Sequence, residues 1–278
     1  MTAWSPESLS RFSINQMTVK QLSLPELVEQ CVRLAVPGVG LWREPVAEYG
    51  LEAAAKLVRD AGLTVTSLCR GGFFTTAESL DDNREAIDEA ATLGTDTLVL
   101  VSGGLARGSR DLTAARARIT DAIAELAPYA GERGVRLAIE PLHPMYASDR
   151  CAVSTLDQAL EIAERFPSSQ VGVVVDTYHI WWDDRAPAAV ARAGAADRIH
   201  AFQLADWTTP LPAGVLNGRG QLGDGAIDLR AWCELVEGAG YRGPIEVELF
   251  NDELWARDGV EVLEETVGRF SDHVGQLG

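Results

Sequence analysis

Short apolar runs alternate with longer amphipathic segments along the chain. Runs rich in Val, Ile and Leu have the length of β-strands and occupy residues 12–17, 39–42, 64–69, 97–102, 136–140, 171–176, 199–204 and 245–250. Segments with apolar residues at helical spacing lie between them, among them LSLPELVEQCVRLA, EAIDEAATLG, ARARITDAIAELAPYAGERG, STLDQALEIAERF and DLRAWCELVEGAG. Several of these begin after Ser or Asp and end at Gly, as capped helices do.

This alternation of strands and helices predicts a (β/α)8 TIM barrel that forms a single domain over residues 1–278. The chain has 278 residues, 46% of them hydrophobic, which is enough for one large core. A doubly wound open sheet is the alternative. That fold normally carries a Gly-rich fingerprint after its first strand, and SINQMTVKQ contains no glycine.

Charge and cysteine content narrow the classes of function. The formal net charge is -17, so the protein is expected to repel nucleic acids and anionic membranes, and neither is a predicted partner. No signal-like segment or membrane-length apolar run is present, which predicts a cytoplasmic protein. The four cysteines form no CxxC pair, which argues against a zinc knuckle and against a disulfide framework.

Oxygen-bearing side chains stand where the last four predicted strands end. In a barrel the active site lies at the carboxyl ends of the strands, and these ends carry Glu140, Asp176, Gln203 and Glu248. Three carboxylates pointing at one spot repel each other unless a cation lies among them. Because the donors are hard oxygens, Mn²⁺ or Mg²⁺ is the predicted metal, with Co²⁺ or Zn²⁺ as alternatives.

Two of these ligands have competitors nearby in the sequence. Glu246 faces the same side of its strand as Glu248, and Glu248 is preferred because it is nearer the strand end. Glu246 would then lie one layer deeper and need a partner, for which Arg136 is a candidate. His200 competes with Gln203, since imidazole is the commoner ligand in general, but Gln203 is nearer the strand end.

Five segments of the sequence, AIEPLHP, VVDTYHIWWD, HAFQLADW, GRGQLGDGAIDL and GYRGPIEVELFN, resemble elements of a known family in the same order. That family is the sugar phosphate isomerase/epimerase group of xylose-isomerase-like TIM barrels, which includes tagatose/psicose epimerases and inosose dehydratases. The resemblance covers essentially the whole chain. In relatives the metal is held by Glu, Asp, His and Glu, which match Glu140, Asp176, Gln203 and Glu248; the Gln departs from the usual His.

The resemblance implies a reaction. Glu140 and Glu248 would act as base and acid on a small keto-sugar, sugar or cyclitol, moving a proton next to a carbonyl through an enediolate. His179 and Arg219 match substrate-binding residues of the family, and His143 could line the same pocket. The alternative is a lyase that dehydrates an inosose-like keto-cyclitol or related keto-sugar. Relatives are often dimers or tetramers, so a homo-oligomer is possible.

Other residues near the strand ends could complete the wall of the site. The aromatic ones are Trp42, Phe73, Phe74, Trp181, Trp182 and Trp207, and the polar ones are Asn15, Arg43, Arg70 and Ser102. Apurinic endonucleases share the barrel, but they need a cluster of metals with several histidines and a surface that accepts phosphates. Four histidines in all and an acidic composition argue that this chain does not belong to that class.

Overall fold

A closed barrel of parallel strands forms the centre of the computed structural model, which describes residues 7–75, 79–213 and 215–275. The barrel strands, numbered first to eighth in chain order, are Phe12–Asn15, Gly38–Trp42, Thr64–Gly72, Thr97–Val101, Arg136–Ile139, Val171–Asp176, Ile199–Leu204 and Ile245–Val247. Each strand is hydrogen-bonded to its neighbours in chain order, and the first pairs with the eighth through Phe12 and Ile245. The predicted (β/α)8 TIM barrel is confirmed.

The fifth and eighth strands end earlier than their apolar patterns predict. Glu140 and Glu248 each lie just beyond the last strand residue. Their backbone amides still donate to the neighbouring strand, from Glu140 to Leu100 O and from Glu248 to Leu204 O, both at 3.1 Å. The regular ladder stops there because the chain turns into its loops, yet both residues remain fixed to the barrel.

Helices cover the outside of the barrel. Their bounds are Leu24–Leu34, Arg43–Tyr49, Leu51–Asp60, Ser79–Leu93, Leu112–Glu132, Leu156–Ala163, Thr177–Ile180, Ala186–Ala195, Leu229–Gly238, Asp252–Trp255 and Gly259–His273. Short 3-10 turns occupy Gln16–Val19, Pro144–Tyr146 and Val215–Asn217. Asp111 and Asp228 cap helices by accepting from backbone amides in the first turn, as the sequence suggested.

The hydrophobic core has two parts. The larger one lies between the strands and the surrounding helices. The smaller one fills the inside of the barrel and consists of Cys69, Val99, Ala138, Val174 and Ala201. All four cysteines of the chain are free and buried. Within the described ranges, no helix is both long and apolar enough to cross a bilayer.

Candidate metal and active site

The four predicted ligands lie at the carboxyl end of the barrel on consecutive strands. Asp176 ends the sixth strand, Gln203 is the next-to-last residue of the seventh, and Glu140 and Glu248 follow the fifth and eighth. Asp176 and Gln203 are partners in the strand register. All four side chains are buried, none more than 4% exposed. The fold therefore buries the four side chains at one end of the barrel. Glu140 and Asp176 offer oxygens within 4.8 Å of each other, and Glu248 shares the Arg219 guanidinium with Asp176.

The buried carboxyl groups at this end of the barrel carry more negative charge than the neighbouring Arg219 balances. Burial raises the pKa of Glu140 well above its usual value, and the carboxylates of Glu248 and Asp176 raise it further. Burial also raises the pKa of Asp176 and brings the pKa of Glu248 to about 7, although Arg219 acts in the opposite direction on both. A cation among these groups would relieve the conflict.

Unpartnered oxygens give a second indication that these residues suit a cation. Oε1 of Glu140, Oε1 of Gln203 and Oε1 of Glu248 are buried and accept no hydrogen bond from the described residues. A buried acceptor without a donor costs about 1–3 kcal/mol, and more when it is charged. Three of the four predicted ligands thus keep an oxygen free, and a hard divalent cation fits this donor set.

His179 lies beside the ligands, and both of its ring nitrogens face hydrogen-bond donors. Its Nε2 is 3.7 Å from Asp176 Oδ2, and Glu140, Asp176 and His179 offer atoms within 4.8 Å of one another. Burial lowers the pKa of His179 well below its usual value, so the ring is neutral. The His143 amide donates to Nδ1 at 3.2 Å, and the Arg219 donor Nη2 lies 3.2 Å from Nε2. A neutral imidazole carries one proton, so one ring nitrogen accepts and the other keeps the proton.

Arg219 enters the site from a loop that folds over the barrel. It belongs to a two-stranded antiparallel ribbon, Asp206–Trp207 with Arg219–Gly220. Its Nη1 donates to Glu248 Oε2 at 2.8 Å and to Asp176 Oδ2 at 3.1 Å, and Nη2 lies 3.2 Å from His179 Nε2. The predicted substrate-binding arginine therefore contacts two of the predicted metal ligands.

Asp206 anchors this loop, a role that the sequence analysis missed. Its carboxylate accepts from the backbone amides of Trp207, Gly223, Gly225 and Ile227 at 2.8–3.1 Å. A Cβ on Gly225 would lie 2.3 Å from Asp206 Oδ1, so only glycine fits there. The sequence did contain a signal for this contact. The backbone amides of the Gly-rich GQLGDG segment need an acceptor, and the Asp of QLAD can supply one.

Aromatic rings line one side of the site, and we call His143, Tyr178, Trp181, Trp182 and Trp207 the aromatic wall. Trp207 is central, with ring centroids 5.1 Å from His143, 5.0 Å from Tyr178 and 5.4 Å from Trp181. His143 also caps the following turn by accepting from the Met145 amide at 3.3 Å. Of the two roles that the sequence left open, the structure shows turn formation, and pocket lining stays a prediction.

Two sequence expectations near the site are wrong. Arg136 does not pair with Glu246: it bridges to Asp96 at 2.9 Å, because it stands at the amino end of its strand. The partners of Glu246 are side chains of other strands, described below. Arg43 does not line the site, since its guanidinium binds Glu89 and Asp82 on the outer helix Ser79–Leu93.

The other predicted wall residues divide between the site and its surroundings. Asn15 lies in the barrel interior, where its Oδ1 accepts from the Trp42 indole at 3.0 Å. Ser102 is buried, with no hydrogen-bond partner for its hydroxyl among the described residues. Phe73 lies under the Arg70 guanidinium at 4.1 Å from the ring centroid, and Phe74 is part of the outer core.

Comparison with known proteins identifies the fold family. The model of the xylose isomerase-like TIM barrel family matches residues 28–266. The chain belongs to this family. The family match covers the fifth to eighth strands and Arg219, and so every predicted site residue lies within it.

Members similar to this chain carry different names. A 3-dehydroshikimate dehydratase from Pseudomonas aeruginosa is 29% identical over 245 residues, 83% of this chain and 36% of that protein. An inosose isomerase from Bacillus subtilis is 30% identical over 147 residues, 52% of this chain and 50% of that protein. The chain thus spans about a third and a half of these two curated relatives.

A solved structure in the family extends over nearly the whole chain. The crystal structure of a protein from Sinorhizobium meliloti 1021 superposes with a TM-score of 0.92 at 44% sequence identity, covering 95% of this chain and 98% of that one. The barrel and its helical cover are therefore shared from end to end.

Proposed function

We propose that the protein is a divalent-metal-dependent isomerase or epimerase of a small keto-sugar, sugar or cyclitol, which it changes by moving a proton next to a carbonyl. One observation carries the proposal: Glu140, Gln203 and Glu248 each keep a buried, unpartnered oxygen in the same region of the barrel. Buried acids that lack partners are typical of sites that use them.

The metal would be held by Glu140, Asp176, Gln203 and Glu248, with Mn²⁺ or Mg²⁺ as the preferred ion and Co²⁺ or Zn²⁺ as alternatives. Glu140 and Asp176 offer oxygens within 4.8 Å of each other, and Gln203 and Glu248 each add a buried oxygen without a partner among the described residues. When bound, such an ion polarises the carbonyl of the substrate and makes the neighbouring C–H more acidic.

Proton transfer would belong to two carboxylates on either side of the cluster. Glu140 and Glu248 follow the fifth and eighth strands, with the sixth and seventh between them. One of them takes the proton from the carbon next to the carbonyl, which gives an enediolate, and the other returns a proton to the same or the adjacent carbon. A bound cation would lower the pKa of both glutamates, so it must make the substrate C–H more acidic by more than it weakens the carboxylate as a base.

Positioning of the substrate would fall to His179, Arg219 and the aromatic wall. The guanidinium of Arg219 can donate to a substrate oxygen, and His179, 3.2 Å from it, offers a second polar group in the same place. Trp207 and its neighbours present flat apolar faces to the C–H groups of a ring or chain. The same rings exclude water from the reacting carbon.

A dehydratase is the second candidate, because the dehydratase relative matches 83% of this chain. The first step is the same proton removal. The electron pair left on the carbon is then not reprotonated. It expels the hydroxyl group of the β-carbon, which takes up a proton and leaves as water. Glu140 or Glu248 could supply that proton.

We also propose that the protein works in the cytoplasm, that its acidic composition excludes nucleic-acid and membrane partners, and that it forms a homo-oligomer as relatives of the family often do.

Solvent deuterium incorporation tests the proposal. Metal-stripped protein is reconstituted with Mn²⁺ or Mg²⁺ and offered a panel of ketoses, aldoses and inososes in D₂O, and products are read by NMR after chelation. Metal-dependent deuterium next to the carbonyl, with mass otherwise unchanged, is the expected result. Loss of water would establish the dehydratase instead, and no exchange or elimination with any member would overturn both.

A further inference from the structure

We infer that Glu246 is a positioning residue that sets the amide of Gln203, so that the oxygen of this amide, and not its nitrogen, faces the metal position. The inference rests on the proposed function, because it concerns how one ligand of the proposed metal site is held. Glu246 lies in the eighth strand and pairs with Gln203 of the seventh in the strand register.

Four donors surround the carboxylate of Glu246. Its Oε1 accepts from Gln203 Nε2 at 2.9 Å and from Asn15 Nδ2 at 2.8 Å. Its Oε2 accepts from the hydroxyls of Thr66 and Ser67, both at 2.8 Å. The side chain is buried, at 3% exposed. A carboxylate offers acceptors alone, so every neighbour here must turn a donor toward it.

The place of Glu246 is itself fixed from two sides. Asn15 cannot rotate freely, because its Oδ1 accepts from the Met17 amide and the Trp42 indole, both at 3.0 Å. Gly40, in the second strand, leaves the space for the carboxyl group: a Cβ there would lie 2.5 Å from the carboxyl carbon of Glu246. Tight packing and full hydrogen bonding together hold the carboxylate still.

The orientation of the Gln203 amide follows from this neighbour. If the amide turned over, its oxygen would face Glu246 Oε1 and the two acceptors would repel each other. With Nε2 bound to Glu246, Oε1 of Gln203 points away, is buried and has no partner among the described residues. A cation binds the oxygen of an amide and is repelled by its NH₂ group. Glu246 thus selects the orientation that a metal needs.

Metal titration tests the inference without reference to catalysis. Dissociation constants for Mn²⁺ are measured by calorimetry on metal-stripped wild type, Glu246→Met, Gln203→Ala and the double variant. Methionine has a similar length but offers no carboxylate or amide oxygen to Gln203 Nε2, so we expect Glu246→Met to bind Mn²⁺ about 10–100-fold more weakly than wild type. In the Gln203→Ala background the same substitution should cause no further loss, because its target is already gone.

Thr66→Val is the matched control. It removes a donor to Oε2 of the same carboxylate and leaves the contact between Glu246 and Gln203 intact, so Mn²⁺ affinity should change less than about threefold. Gly40→Ala is a second test, which displaces the carboxyl group without removing any polar atom and should weaken Mn²⁺ binding as Glu246→Met does.

Three results would overturn the inference in distinguishable ways. Wild-type affinity in Glu246→Met would remove the positioning role and leave the proposed metal site standing. An equal loss in the presence and absence of Gln203 would mean that Glu246 acts through its charge on the metal. Failure of the wild type to bind Mn²⁺ or Mg²⁺ would contradict the proposed function itself.

Discussion

The two ends of the barrel hold buried charge in opposite ways. At the carboxyl end, Glu140 and Glu248 are buried among like charges, and each keeps an oxygen without a hydrogen bond. At the amino end, the buried Arg198 donates to three backbone carbonyls at 2.7–2.8 Å, and His200 Nε2 lies 2.9 Å from Ser168 O. Arg198 Nε and His200 Nδ1 also lack partners among the described residues, but no like charges crowd them as they do at the carboxyl end. At the carboxyl end the acidic side chains repel each other, whereas at the amino end the basic side chains are hydrogen-bonded to the backbone.

This difference distinguishes the candidate active site at the carboxyl end from the structural role of the amino end. A cavity of about 570 Å³, lined by Arg136, His200 and Tyr241 among others, opens at the amino end. In TIM barrels, residues at the amino end usually contribute to stability, whereas the catalytic residues lie at the carboxyl end. The conflict among the acids, and not the size of a cavity, therefore marks the candidate active site.

Removing either proposed proton-transfer group should give the largest effect. We expect Glu140→Gln and Glu248→Gln to lower turnover about 10²–10⁴-fold, because an amide cannot take or return the proton. The NMR exchange assay measures this. Glu264→Gln, which alters an exposed ion pair with Arg33, is the control and should keep full activity. An active Glu248→Gln variant would contradict the assignment of two proton-transfer carboxylates.

The ends should also differ in how stability depends on pH. Burial lowers the pKa of His200 to about 4, below its usual 6.5. Protonation therefore favours the unfolded chain, so the stability contributed by neutral His200 is complete above pH 6.5 and lost as the pH falls toward 4. The loss is up to about 3 kcal/mol. Urea unfolding between pH 7.5 and 4.5 should show a steeper decline for wild type than for His200→Gln.

Glu248 should show the opposite slope. Its pKa is raised from 4.5 to about 7, so ionisation opposes folding, and metal-free protein should lose stability as the pH rises from 4.5 to about 7. Glu248→Gln should remove part of that decline. Identical pH profiles for wild type and both variants would mean that the two ends do not differ in this way.

Metal should stabilise the carboxyl end specifically. At a free Mn²⁺ concentration 100 times the dissociation constant, the gain is about 2.7 kcal/mol, which corresponds to a rise in Tm of about 5–10 °C. Asp176→Asn should abolish the rise, and Asp60→Asn, which changes an exposed pair with Lys56, should retain it. An equal rise in Asp176→Asn, measured by thermal unfolding with and without Mn²⁺, would place the metal elsewhere.

The smallest effect is expected for Gln203→His. Imidazole can replace the amide oxygen as a ligand, and its second ring nitrogen can donate to Glu246. Activity should stay within about tenfold of wild type, with preference shifted toward Co²⁺ or Zn²⁺. Assays across a series of metals would show this, and loss of activity with every metal would mean that the site requires the amide.

Sequence patterns predicted the barrel well because strand alternation and helix caps are local signals. The ends of the strands at Asp176 and Gln203 were also predictable, since polar residues interrupt apolar runs there. The partners of Glu246 could not be predicted, because they come from three other strands whose register appears only on closure of the barrel. The same holds for Arg219, which reaches Glu248 through the fold of a loop.

A crystal structure grown with Mn²⁺ and measured at the manganese absorption edge would decide whether the conflict among the acids marks a metal site. The strongest anomalous peak is expected among Glu140, Asp176, Gln203 and Glu248, with the Gln203 oxygen as a ligand. A peak at the amino end, or no peak among these four side chains at saturating Mn²⁺, would contradict the assignment.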